Sequence, residues 1–344
     1  MNRCEIGLLC VGLCSSFASF TSTPAAEPLT DKAKAAARIM SLGGVVVEDQ
    51  GSRGKPVTRV DVSESAVTDA DVAEFRVFPL LKELNLRKTN VSGAGLRHLG
   101  SLSKLEWLCL EGTKVTDASL AELRAFKRLR WLFLGDTAVT DNGLEVLASL
   151  SELRGLLLLN DAVTDTGLRH LSALTKLETL DLSATDVTDA GMAHLAQIGN
   201  LARLYLCATK ISDGGIARLS CLTRLESLML HDTAITDAGL KGVAAMTQLR
   251  ELGVAKTKIT DAGLAQLERL SNLNMLELSE TGVSDDGLAH LKGMSKLERV
   301  LVRGTKVTPA GVRELQRALP KAIIHLDGSH STPTPRMGRE TERD

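Results

Sequence analysis

Four groupings of reactive side chains in this 344-residue chain have the types and spacing for chemistry. Cys207 and His231 are 24 residues apart, with Asp232 beside the histidine. Carried on neighbouring strands, they would lie about 5 Å apart and could begin a zinc site. No third or fourth ligand accompanies them, so metal binding is not expected. Asp181, Ser183 and His231 invite a hydrolase reading. Ser183 and His231 would then sit two strands apart, near 10 Å, without a nucleophile turn or an oxyanion element. Asp69, Asp117, Asp141, Asp165, Asp189, Asp213, Asp237, Asp261 and Asp285 form a regular column. They lack the glycine-turn pattern of calcium loops. A carboxylate at the start of a short helix meets free N–H groups and the positive end of the dipole, so capping is the expected role. His98, His170, His194 and His290 form another column, expected on a solvated helix face. There is no P-loop, dinucleotide fingerprint or Cys-x-x-Cys pair. These residues point to no enzyme, no metal and no cofactor.

Binding chemistry is more promising. The chain holds only two tryptophans, one tyrosine and six phenylalanines, yet "RWLFLGDT" at 130–137 sets Trp131 and Phe133 one residue apart. Trp107, the other tryptophan, lies 24 residues before Trp131.

The positioning elements follow from a repeat. The motif V-T-D-A-G-L and its variants start at Val67, Val91, Val115, Val139, Val163, Val187, Ile211, Ile235, Ile259, Val283 and Val307, always 24 residues apart. Such a period signals a solenoid, whose units bury their apolar faces only against neighbours. In "ITDAGLAQLERLSNLNMLELSETG", from Ile259, Leu264, Leu267 and Leu270 are spaced for a short helix. Leu276 and Leu278 alternate as in a strand. The predicted fold class is α/β: a right-handed horseshoe with short helices on its convex face. About twelve parallel strands would line the concave face over roughly 50 Å.

Within each strand the core leucines alternate with residues that face outward. Both tryptophans and Tyr205 fall in the outward set. Trp107 and Trp131 occupy equivalent places on adjacent strands, with rings expected about 5 Å apart. Phe133 lies beside Trp131, and Leu157 and Leu159 extend the patch. Exposed aromatic clusters are uncommon on monomers and mark contact surfaces. The expected partner-binding residues are Trp107, Trp131, Phe133, Leu157 and Leu159, with Arg203, Tyr205 and Met229 as a second zone. Asp181, Arg203, Arg299 and Arg303 could set orientation around the apolar anchor. The plain alternative is that these side chains pack on one another as an extension of the core.

The pattern L-x-x-L-x-L-x-x-T followed by V-T-D-A-G-L is similar to leucine-rich repeats. It most resembles the 24-residue version abundant in planctomycete-type bacterial proteins, over about 57–327. The common asparagine of such repeats is replaced by Thr89, Thr113, Thr137, Thr185, Thr209, Thr233, Thr257, Thr281 and Thr305. A hydroxyl can satisfy turn backbone groups in its place. Asp161 breaks that column, which implies a locally different turn. The resemblance implies an interaction scaffold and says nothing about which partner.

The ends differ from the middle. Residues 1–26 read as a signal peptide, with Arg3, an apolar stretch from Ile6 to about Phe20, and small residues at Ala25 and Ala26. An exported protein is expected (periplasmic, cell-surface or extracellular), or a cytoplasmic one if the leader stays. Lipidation of Cys10 or Cys14 is disfavoured by the leucine before each. Residues 27–56 would form a cap of one helix and a hairpin strand, 57–327 the repeat domain, and 328–344 a disordered tail. Cys109, Cys207 and Cys221 are too irregular for a disulfide framework. Lys plus Arg nearly cancels Asp plus Glu, for a net charge of -1, which removes the electrostatic case for nucleic acid. No apolar stretch of about 18 residues occurs, so no membrane span is expected in the mature chain.

The expectation is a non-catalytic scaffold that binds a protein or peptide on its concave face. One alternative is an exported carbohydrate-binding protein, for which Glu83, Asn85 and Glu111 would supply polar groups beside the rings. Another is an intracellular adaptor of the F-box-linked repeat type, although no F-box-like helical segment precedes the repeats.

Overall fold

The structure, a computed structural model, describes residues 30–326. The leader at 1–26 and the tail at 328–344 lie outside the described residues.

Thirteen strands form one open sheet in chain order. They are β1 (Val45–Glu48), β2 (Val57–Asp61), β3 (Glu83–Asn85), β4 (Trp107–Cys109) and β5 (Trp131–Phe133). Next come β6 (Gly155–Leu157), β7 (Thr179–Asp181), β8 (Arg203–Tyr205) and β9 (Ser227–Met229). The last four are β10 (Glu251–Gly253), β11 (Met275–Glu277), β12 (Arg299–Leu301) and β13 (Ile323–His325). Strands β2 to β13 are parallel, and from β2 onward each residue pairs with the one 24 positions later, as Leu132 does with Leu156. β1 runs antiparallel to β2 and is the strand beyond the predicted twelve.

Parallel neighbours cannot be joined by a tight turn, so each connection crosses over through a helix. Those helices are short, such as Asp213–Leu219, or a single α turn continued as a 3₁₀ turn, as at Asp117–Leu120 and Ala121–Ala125. Elements of this length are unstable alone and are held by packing. Leu84, Leu108, Leu132, Leu156 and Leu180 stack in one fully buried column, and Leu86, Leu110, Leu134, Leu158 and Leu182 in a second. Phe75, Phe78 and Phe126 join this core from the helix side.

After each of β2 to β12 the chain turns through one residue in the left-handed region, among them Lys88, Asp136, Ala184, Asp232 and Glu280. Glycine fills that place at only Gly112 and Gly304. The next residue is the threonine of the turn column. Thr89 Oγ1 donates to the Leu86 carbonyl at 2.7 Å, and Thr185 and Thr257 repeat the bond. Thr137 departs from this, donating through both its N–H and its hydroxyl to Asp161 Oδ1, at 2.9 and 3.0 Å. The break at Asp161 is thus a carboxylate reaching back across a repeat boundary.

The aspartate column does something the sequence did not reveal. The caps are the preceding Ser or Thr, as Thr236 caps the helix from Asp237. Each aspartate instead joins its repeat to the next one. Asp213 accepts the Thr236 N–H at Oδ1 and the Thr236 hydroxyl at Oδ2, at 2.8 and 2.6 Å. Asp69, Asp117, Asp141, Asp165, Asp189, Asp237, Asp261 and Asp285 do the same to the Ser or Thr that begins the next helix. This explains the glycine column: a Cβ on Gly239 would lie 2.5 Å from Asp213 Oδ1. The junction between the repeats starting at Val91 and Val115 is different. Gly93 stands where the aspartate would be, and Ser119 where the glycine would be. The Thr116 N–H turns back to Ser119 Oγ at 3.2 Å. A narrow groove remains there, lined by Gly93, Ala94, Arg97, Ala118, Ser119 and Glu122.

The helix α1 (Asp31–Ser41) covers the first repeat, burying Ala35 and Ile39 and pairing Arg38 with Asp71 at 2.8 Å. No described helix is long and apolar enough to cross a membrane.

Candidate functional site

Outward residues of β2 to β9 form three zones on the concave face. The first, on β2 to β4, is polar and interlocked. Asn85 Nδ2 donates to Asp61 Oδ2 at 3.1 Å, and Arg59 pairs with Glu83 at 3.5 Å. Arg87 bridges Glu111 at 3.0 Å and Glu64 at 2.6 Å.

The second zone is the aromatic patch. Register places Trp107 opposite Trp131, and Phe133 opposite Leu157. The ring contacts run through Phe133, whose centroid is 4.9 Å from Trp107 and 6.5 Å from Trp131. Phe133 is only 5% exposed, so it is the floor beneath two half-buried tryptophans and not itself a contact surface. That corrects the expectation for Phe133, and the reason is mutual packing of large rings on adjacent strands. Trp131 leans over the next strand, where Gly155 leaves it room: any Cβ there would collide with the ring. Leu157 and Leu159 stand half-exposed beside it.

The third zone follows on β7 to β9. Arg203 and Tyr205 are half-buried, but Met229 is 8% exposed and belongs with the buried residues, a second correction. Arg203 Nε donates to Thr179 Oγ1 at 3.0 Å. Asp181 and Ser183 are buried on this face, with Ser183 N–H donating to Asp181 Oδ1 at 2.8 Å. Desolvation pushes the Asp181 carboxyl and the Tyr205 phenol above their usual ranges.

Of the residues first considered for chemistry, Asp181 and Ser183 are in contact, while His231 is tied to the next repeat. His231 Nδ1 accepts the Ala255 N–H at 3.1 Å, and burial lowers its pKa to about 4, so the ring is neutral. Its ring lies against Gly253, whose missing side chain makes the space. Cys207 is buried just after β8, between the repeats of Ser183 and His231. Among the described residues, no three His, Cys, Asp or Glu side chains gather at metal-binding range. The roles of Gly155 and Gly253 as seats were hidden from sequence reasoning. The signal for Gly155 was a glycine interrupting the outward column directly after Trp131; Gly253 follows Met229 in its column and carried no such signal.

Comparison with known proteins adds the family. Residues 115–326, well over half of the chain, match the family model described as a leucine-rich repeat region. No curated protein matches the chain. Among solved structures, an internalin (inlF) from Listeria monocytogenes is similar with a TM-score of 0.60 at 20% identity. The match covers 88% of this chain and 95% of that one. A leucine-rich repeat protein from Leptospira interrogans is similar with a TM-score of 0.52 at 18% identity, over 73% and 74% of the two chains. Both likenesses are to the fold.

Proposed function

The chain belongs to the leucine-rich repeat family, and from that premise we propose that it is a non-catalytic scaffold whose concave face binds a protein or peptide. One observation carries the reading. Trp107 and Trp131 stand half-exposed on adjacent strands over a buried Phe133, with half-exposed Leu157 and Leu159 beside them. A rigid aromatic platform already supported from below loses little entropy on binding, which suits an anchor. Arg203 and Tyr205 form its polar edge. The polar groups that a glycan would need are already engaged: Glu83 by Arg59, Asn85 by Asp61 and Glu111 by Arg87. That favours the protein reading over the carbohydrate one. We also propose export through the leader at 1–26, which mass measurement of the mature protein from its native cells would test by a loss of about that many residues.

The decisive experiment is affinity capture from native extract with the wild type and a Trp107→Ser, Trp131→Ser variant side by side. The variant is expected to lose the captured partner while its thermal transition moves little. Unchanged capture by the folded variant would sink the proposal.

A further inference from the structure

Asp181 and Ser183, next to the aromatic patch, are a pair the protein leaves unfinished. They face the concave side because Leu180 and Leu182 face the core. Each is only 1% exposed. Register sets Asp181 between Leu157 on β6 and Tyr205 on β8. Asp181 Oδ1 accepts the Ser183 N–H, but Asp181 Oδ2 and Ser183 Oγ have no hydrogen-bond partner among the described residues. Native folds rarely leave such atoms buried and unsatisfied, and this one gives its column aspartates two donors each. Arg203, on the neighbouring strand of the same face, turns elsewhere, since its Nε donates to Thr179 Oγ1.

We propose that Asp181 and Ser183 form a subsite for a cationic side chain, an ammonium or guanidinium group, of a partner whose adjoining apolar group rests on Trp131 and Leu157. The inference builds on the concave face being the binding surface. A cation fits better than an amide because it brings only donors, matching the carboxylate and hydroxyl lone pairs, and it balances the charge of an ionised carboxylate. Leu157 and Tyr205, half-buried, flank the pair and can swing about their own side-chain bonds, so opening the subsite requires no change of strand pairing.

The subsite is also pH-dependent. β6 presents Gly155, Leu157 and Leu159 to Asp181, none titratable, while β8 presents Arg203, Tyr205 and Cys207. Glu111, in the turn after β4, acts from farther away. Burial raises the Asp181 pKa against the opposing pull of hydrogen bonding from Ser183, and the Glu111 charge adds a smaller rise. A bound cation favours the ionised carboxylate, so affinity rises with pH through that titration.

The test uses the full chain, with phenethylammonium and phenethyl alcohol as probes in NMR titrations. The wild type is expected to bind the ammonium about tenfold more tightly than the alcohol at the alkaline end of a pH series, with the preference shrinking toward the acid end. Asp181→Asn should keep the affinity for the alcohol and its thermal transition, and lose the preference. Equal binding of both probes by the wild type, binding of neither, or a preference that survives in Asp181→Asn overturns the subsite. Trp131→Ser separates the two ideas, because it should weaken both probes in parallel. If it binds both as the wild type does, the aromatic anchor is wrong, while an Asp181-dependent preference still stands.

Discussion

Two sets of aspartates divide the molecule between holding itself together and leaving something over. Those from Asp69 to Asp285 stand at repeat boundaries, and each takes one backbone and one hydroxyl donor from the next unit. Asp161 and Asp181 are more deeply buried, yet each keeps one oxygen without a partner among the described residues. The repeated junctions thus satisfy both oxygens of their carboxylates, whereas Asp161, which also joins two repeats through Thr137, and Asp181 do not. The exceptions cluster around the strands that bear the tryptophans and their leucine neighbours, where the regular columns are interrupted by Gly93, Ser119, Asp161 and Gly155.

The strongest way to break this contrast is to remove a boundary aspartate. Asp213→Ala strands the Thr236 N–H and hydroxyl and should cost about 3–5 kcal/mol in urea unfolding. Asp213→Gly combined with Gly239→Ser copies the natural arrangement at Gly93 and Ser119 and should recover a large part of that loss. A cost near zero for Asp213→Ala would show the column to be ornamental.

Asp161 should behave in the opposite way. Burial raises its pKa from 3.8 to about 7, with Thr137 hydrogen bonds opposing the rise. The native state therefore favours the protonated form. That contribution is complete below about pH 4 and is lost as pH climbs through about 7, a swing of up to roughly 4 kcal/mol. Asp161→Asn retains the amide oxygen for Thr137 and has no charge to bury. Its stability advantage over the wild type should grow across that window and level off above it, as followed by unfolding midpoints against pH.

Smaller effects sharpen the contrast within the patch. Gly155→Ala should displace the Trp131 ring, costing about 1–2 kcal/mol and shifting tryptophan emission toward that of a more solvated indole. Last comes an exposed rung, Lys176 with Glu152 at 2.7 Å. Lys176→Ala should change stability by less than about 0.5 kcal/mol, which a urea titration would barely resolve.

The fold was legible because a 24-residue period with fixed leucine columns leaves one way to bury them. The candidate site was legible only in part. Alternation put Trp131 and Phe133 on the concave face, but it cannot tell a ring from the floor under that ring. Depth depends on neighbours 24 residues away and on where large side chains lean, which is how Phe133 and Met229 came to be buried. The aspartates were misassigned for a related reason. A carboxylate at the first turn of a helix looks like a cap in one repeat, and its true acceptor role appears only when the next repeat is laid beside it.

The Gly93 and Ser119 exchange also has a mechanical meaning. Eleven repeat starts make ten junctions, and nine of them carry the doubled aspartate bond. At the remaining one, Thr116 is satisfied within its own repeat. Under tension along its length, the solenoid would not peel evenly. It would part first between the units of Trp107 and Trp131, splitting the aromatic platform down its seam.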